Sequence, residues 1–554
     1  MKHLVALCLM SLMAGAALGL DPTAQVPANE RAGFRSIREG DLRADLTFLA
    51  SDATQGRMSL QPGDDVAAEW VAAEFAKAGL EPAARDAAGH ASFLQEVSLI
   101  EYRPDREKNT VSLTRGGETR QWHAPEITGG FHDDIEIAAP VVFAGYGITA
   151  PGLGYDDYRN VDARGKVVLI FEHEPQENDP HSRFNGTGNT RYATNRVKAQ
   201  IAQAHGAVAL LIVGEPNRKH PSNLERVARI GGSTTRNPPI AAQSLVGDDL
   251  HIPVITVSDA VGKDLLADVG ATPQALESAI DADLSNHSTE LKDTKVTLHL
   301  ENRSRTSGVT HNVAGVLKGS DPKLATETVI ISAHHDHDGA VANAAGGADI
   351  WHGADDNGSG TVGVVELARA FALNAAKPKR SILFVVFAAE ERGLLGAYFM
   401  AAHPLRPLET TRAMVNFDMI GRDETPSDQT EGLIEIPKDT TNRLNLIGAA
   451  YSPDYKRIVL ADNRAVGLDL DDRFDHENAL NVFFRSDQFP FVLHDVPAFW
   501  WFTGFHPDYH HTTDTADKID YRKMVKILEL AYLSAWSFAS DPSTPKFVPD
   551  PAGT

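Results

Sequence analysis

The chain has 554 residues, 42% of them hydrophobic and 23% charged, which is ordinary globular material and long enough for more than one domain. Its formal net charge of −23 argues against a nucleic-acid partner, because a polyanion would be repelled rather than gathered. The acidity is not gathered into long blocks, so it reads as solubility rather than as a dedicated cation-binding tail.

At the N-terminus Lys2 and His3 precede an apolar stretch from Leu4 to Ala17, and Ala17-Leu18-Gly19 is a small-x-small cleavage pattern. This predicts a signal peptide over residues 1–19 and a secreted or bacterial periplasmic protein. The run is shorter than the roughly 20 residues a membrane span needs, so no span is expected. Cleavage there removes Lys2, so 52 basic residues become 51 against 75 acidic ones and the charge becomes −24. It also removes Cys8, the only cysteine, so no disulfide is expected in the mature chain.

Residues 41–80 read as a helix, an irregular QGRMSLQPG stretch carrying Arg57, and a second helix, DDVAAEWVAAEFAKAGL, closed by Gly79. Their expected job is scaffold, with Arg57 near the functional site. From about Trp122 to Ser285 the character changes to strand-like runs, PVVFAGYGI, KVVLIFEHE, AVALLIV and IPVITVS, with NRVKAQIAQAHGA as a helix among them. The turn-rich NDPHSRFNGTGNTRYATN within it is expected to be a mobile loop.

Further on, TVIISA, SILFVVFAA, AMVNF and VPAFWWF are short β-branched or aromatic runs separated by helical stretches such as GTVGVVELARAFAL, the alternation of a parallel sheet covered by helices. Each run leads into polar residues. These are His334 and Asp336 in SAHHDHDG, Asp355 in HGADDNGSG, Glu390 and Glu391 in FAAEERGLLG, Asp418 in NFDMIGR, and His510 in DYHHTTDT. The ligand crevice of such a sheet lies beyond the carboxyl ends of its strands, so these residues are expected to meet there. Histidines and carboxylates together suit a two-metal hydrolytic site, with zinc favoured and cobalt or manganese also fitting. The pair Glu390 and Glu391 can supply one ligand and one base, because neighbouring residues at a strand end point in different directions. Asp336 is spaced to orient His334.

Taken singly, each segment also reads as a turn or helix cap. His335, His337, Asp338 and His352 stay outside the expected ligand set. RSDQF around Ser486 and Asp487 lacks the G-x-S-x-G form of a nucleophilic serine. Trp500, Trp501, Phe502 and Phe505 have two readings, an apolar substrate wall or core.

The ordered segments SAHHDH, GADDNGSG, EERGLLGA, NFDMIGR, RSDQFPF and YHHTTDT resemble the M28 zinc aminopeptidases. The resemblance implies an α/β fold with a mixed, mainly parallel sheet flanked by helices, two zinc ions per chain, and removal of N-terminal residues from peptides. By the same resemblance Asp355 is the bridging ligand, His334 and Asp418 complete one metal, Glu391 and His510 the other, Glu390 is the general base and Tyr509 an oxyanion donor. The family places an aspartate four residues after the last ligand, and Asp514 meets this from His510 rather than His511. AGYGI, DYRNVDARGKVVLI, KAQIAQAHGAVALLIV and IPVITVS resemble a β-rich protease-associated (PA) domain covering the cleft. The expected organisation is a catalytic domain over 30–121 and 286–545, the insert over 122–285, and a tail over 546–554. Carboxypeptidase, glutaminyl cyclase and a receptor-like binding module on the same scaffold are the alternatives.

Overall fold

The computed structural model describes residues 26–226, 228, 236 and 239–551. The expected signal peptide therefore lies outside the described residues. Among the described residues, no helix is long and apolar enough to cross a membrane.

One ten-stranded mixed sheet carries the polar segments. Its strands are β1 (Leu94–Pro104), β2 (Ala242–Leu245), β3 (Asn302–Leu317), β4 (Thr328–His334), β5 (Ser381–Phe387), β6 (Thr411–Phe417), β7 (Arg443–Ile447), β8 (Asp469–Asp471) and β9 (Ala498–Phe502), with Glu81–Pro82 pairing beside β3. The spatial order is β2-β1-β3-β5-β4-β6-β9-β7-β8. The centre, β5-β4-β6-β9, is parallel, and the strands that flank it are antiparallel to it. Every residue of β4, β5 and β9 is buried, which is why these read as unbroken apolar runs instead of alternating ones.

Helices α1 (Glu39–Leu49), α2 (Pro62–Lys77), α3 (Gly360–Leu373) and α5 (Tyr521–Ser540) pack one face of this sheet into a single core. On the other face α4 (Leu395–Ala402) joins a second core with Phe489, Phe491 and Trp500. Between α1 and α2 a tight helical turn, Asp52–Arg57, opens the irregular stretch, and Gly79 beyond α2 has φ +79°, the left-handed turn that glycine accepts without strain. Trp500, Trp501, Phe502 and Phe505 are all buried and belong to the core reading.

A second, eight-stranded sheet has Val167–Phe171 at its heart, parallel to Ile135–Phe143 and Ala209–Val213, with Asn195–Ala204 packed across it. This sheet draws strands from Thr110–Arg115 to Thr289–Leu300, so it extends past 122–285 at both ends. β2, from inside that range, leaves it to pair with β1 in the first sheet. The turn-rich segment at 178–195 is packed rather than loose. Phe184 is buried, Asn185 Nδ2 donates to the Asp475 carbonyl and Thr187 Oγ1 to that of His476, so polar side chains chosen for turns serve here as anchors.

Candidate metal centre

β4, β5 and β6 run parallel and end side by side, so their carboxyl ends deliver His334, the 388–391 turn and Asp418 to one place. Nε2 of buried His334 lies 3.4 Å from Asp356 Oδ1, 3.6 Å from Asp418 Oδ1 and 3.8 Å from Glu390 Oε2, without a hydrogen bond to any of them. On the other side His510 Nε2 is 3.1 Å from Asp356 Oδ2 and 3.2 Å from Glu391 Oε2. Asp356 thus presents one oxygen to each half of the cluster.

Asp355, expected between the metals, is not in this cluster. Its Oδ1 accepts from the Gly421 N–H at 2.6 Å and its Oδ2 lies 3.2 Å from His506 Nε2. Adjacent side chains point apart here, and the loop is turned so that the second aspartate of the pair faces His334. Asp514 holds that turn, accepting from the Asp355 N–H at 2.9 Å and the Asp356 N–H at 3.1 Å.

Asp336 also acts differently from the expectation. Its carboxylate stands 3.7 Å from His334 Nδ1, too far for a hydrogen bond, while the Asp336 carbonyl is 3.2 Å from that nitrogen. The carboxylate instead accepts from the backbone N–H groups of Glu390 at 2.9 Å and Glu391 at 3.3 Å, fixing the turn that aims both acids. The carboxylate that orients a histidine is Asp338, whose Oδ2 is 3.0 Å from His510 Nδ1 and whose Oδ1 accepts from Arg392 at 2.7 Å. His337 Nδ1 reaches Glu391 Oε1 at 2.7 Å. Both residues lay in plain sight in HHDHD, but only their direction separates them from ordinary turn residues.

His511 turns away, its Nδ1 2.7 Å from the Tyr509 carbonyl. The Tyr509 ring lies tilted against that of His510, their centroids 4.1 Å apart, and its hydroxyl is 3.3 Å from the Arg485 guanidinium. Asp418 accepts from Ser486 Oγ at 2.6 Å, and Ser486 accepts in turn from Asn416 at 2.9 Å, so the serine is a positioning group. Arg57 is fully buried and donates to the carbonyls of Leu49, His335, His352 and Gly353, tying the two histidine-rich loops to α1.

Burial pushes the Glu390 carboxyl well above its usual range, with Glu391, Asp418 and Asp487 adding to the effect against the pull of His334. Burial acts the same way on Asp356, yet His334 and His510 on either side more than offset it and hold it well below. Burial pushes the Tyr509 phenol up to about 12, which keeps it a hydrogen-bond donor. So many carboxylates gathered out of water call for positive charge, and the partnerless Nε2 of His334 amid three carboxylate oxygens is a donor set fitting divalent cations. Among the described residues His334, Asp356 and Asp418 form one potential ligand group, and His337, Asp338, Asp356, Glu391 and His510 two overlapping ones beside it. A cavity of about 260 Å³ lined by Ser427, Gln429, His506 and Tyr509 opens next to them.

Residues 312–534 match the family model of peptidase family M28, and residues 137–265 match that of the PA domain. Aminopeptidase YwaD of Bacillus subtilis is 27% identical over 281 residues, covering 50% of this chain and 45% of that protein. Leucine aminopeptidase 2 of Arthroderma otae is 25% identical over 314 residues, 52% of this chain and 53% of its own. The chain thus spans about half the length of these two curated relatives. A probable lipoprotein aminopeptidase, LpqL of Mycobacterium tuberculosis, is 25% identical over 436 residues, 75% of this chain and 69% of its own. Among solved structures, an aminopeptidase from Aneurinibacillus sp. strain AM-1 is similar with a TM-score of 0.49 and 19% identity, covering 94% of this chain and 98% of that one. The chain thus carries a peptidase family M28 segment over residues 312–534 and a PA domain over residues 137–265.

Proposed function

We propose that this protein is a secreted zinc aminopeptidase that uses two metal ions to release N-terminal residues from peptides. The observation that supports it most is Asp356, with one carboxylate oxygen 3.4 Å from His334 and the other 3.1 Å from His510. In this reading His334 and Asp418 would hold one ion, Glu391 and His510 the other, and Asp356 would serve both. When bound, a zinc pair supplies Lewis acidity and acidifies water.

The chain's own groups do the rest. Glu390, its backbone pinned by Asp336, takes a proton from the attacking water at its carboxylate and returns it to the leaving amine. Its raised affinity for protons suits both halves of that exchange. Tyr509 donates its hydroxyl hydrogen toward charge developing on the scissile carbonyl oxygen, held in line by Arg485. Asp338 and Arg392 keep His510 turned inward.

The names of the relatives, aminopeptidases in each case, favour the amino-terminal direction. The test is an assay of zinc-loaded protein on peptides with free and N-acetylated termini. Free termini should be cleaved and blocked ones spared. Release of C-terminal residues, cyclisation of N-terminal glutamine, or cleavage of blocked peptides at internal bonds would replace this reading.

A further inference from the structure

Two groups of side chains able to hold a metal, His173 with Glu177 and His220, and His173 with Glu172 and Glu215, share one histidine away from β4, β5 and β6, at the carboxyl end of the strands at the heart of the second sheet. Val167–Phe171 runs directly into Glu172 and His173, and the parallel neighbour Ala209–Val213 leads to Glu215 two residues on. Glu177 and His220 come in from the loops that follow. All five are buried, Glu215 and Glu172 completely.

The contacts are those of converging ligands. His173 Nδ1 is 2.6 Å from Glu215 Oε1 and 3.9 Å from Glu177 Oε2, and both Glu177 oxygens lie 3.1 Å from His220 Nε2. Despite the 2.6 Å approach, His173 Nδ1 and both Glu215 oxygens have no hydrogen-bond partner. A ring N–H satisfying a carboxylate points at it; here the atoms meet off that line, so the contact is not a ring-to-carboxylate hydrogen bond. A fully buried carboxylate without hydrogen bonds is expensive, and the buried ammonium of Lys198 acts on Glu215 only through space, its hydrogen bond going to the Phe171 carbonyl.

We infer that His173, Glu177, Glu215 and His220 hold a divalent transition-metal ion of the zinc class, a structural cation separate from those of the β4–β6 site. Two imidazoles and two carboxylates make a closed four-donor set suited to zinc. The ion gives the Glu215 carboxylate the direct partner that no hydrogen bond supplies. On the far side of the ring the Asn481 amide nitrogen lies 2.7 Å from His173 Nε2 and holds the imidazole in place.

The ion has a mechanical consequence. Asn478 donates to the Glu177 carbonyl and Asn481 meets His173, so the cluster fastens the second sheet to the 475–481 segment, just before Arg485, whose guanidinium donates to the Tyr509 hydroxyl.

Crystals of the full chain grown with zinc, with diffraction recorded on both sides of the zinc absorption edge, test it directly. An anomalous peak enclosed by His173, Glu177, Glu215 and His220 is expected; none there at saturating zinc overturns the proposal. Zinc per chain after dialysis should fall by one in His173→Ala/His220→Ala relative to the parent protein, and equal content would overturn it too. The anomalous map needs no variant, so it decides the matter even where the double substitution fails to fold.

Discussion

Asp338 and His510 meet at 3.0 Å, Oδ2 to Nδ1, and this contact turns the opposite nitrogen of the ring toward Asp356 and Glu391. His511, one residue on, faces a backbone carbonyl instead. His510→Ala should therefore lower zinc stoichiometry, because that half of the cluster loses an imidazole. Asp338→Asn should weaken zinc binding about 10- to 100-fold by loosening the ring. His511→Ala should bind zinc as the parent does, which a zinc titration of the three variants checks. Full metal in His510→Ala with loss in His511→Ala would reverse the assignment.

The two aspartates of GADDN separate in the same way. Asp356→Asn should reduce zinc at both halves of the cluster, since one side chain serves His334 and His510 alike. Asp355→Asn should keep zinc and lose stability by about 1–3 kcal/mol, because the Gly421 N–H and His506 lose a buried charged partner. Metal analysis beside thermal unfolding distinguishes the two.

Glu390→Gln should fold and retain zinc while kcat falls about 10²- to 10⁴-fold, the usual contribution of a general acid-base group. The amide keeps the shape but accepts no proton. An unchanged kcat would remove Glu390 from the reaction.

A pH effect is expected far from this site. Asp157 is buried in the second sheet's core, accepting from the Tyr146 and Ile148 N–H groups and the Tyr155 hydroxyl, and burial outweighs these bonds to raise its carboxyl to about 7. The folded value lies above the ordinary 3.8, so its stabilising contribution is complete below that pH and is lost as pH rises through about 7. Each unit between costs about 1.4 kcal/mol for one proton. Asp157→Asn should flatten this part of the profile of Tm against pH. An unchanged slope would count against the shift.

Much of this molecule was legible in its residues. The unbroken apolar strands Thr328–His334, Ser381–Phe387 and Ala498–Phe502 announce burial on both faces, and such strands deliver their terminal residues to one edge of a sheet, so His334, Glu390, Glu391, Asp418 and His510 were expected together and lie together. Periodicity and strand direction are local properties, readable from neighbours in the chain. Orientation is not. Whether Asp355 or Asp356 turns inward depends on Asp514, more than 150 positions away, gripping the backbone between them. Asp336 was expected beside the His334 ring and instead holds the 390–391 turn, while Asp338, set aside as an ordinary turn residue, orients His510. The buried cluster of His173, Glu177, Glu215 and His220 left no trace in spacing, because its members come from two strand ends and two loops that only the folded sheet brings within reach. Residue type and strand pattern determine which chemistry can gather at a sheet edge; the direction of each side chain, and hence its role, is set by hydrogen bonds across long sequence distances that only the tertiary structure decides.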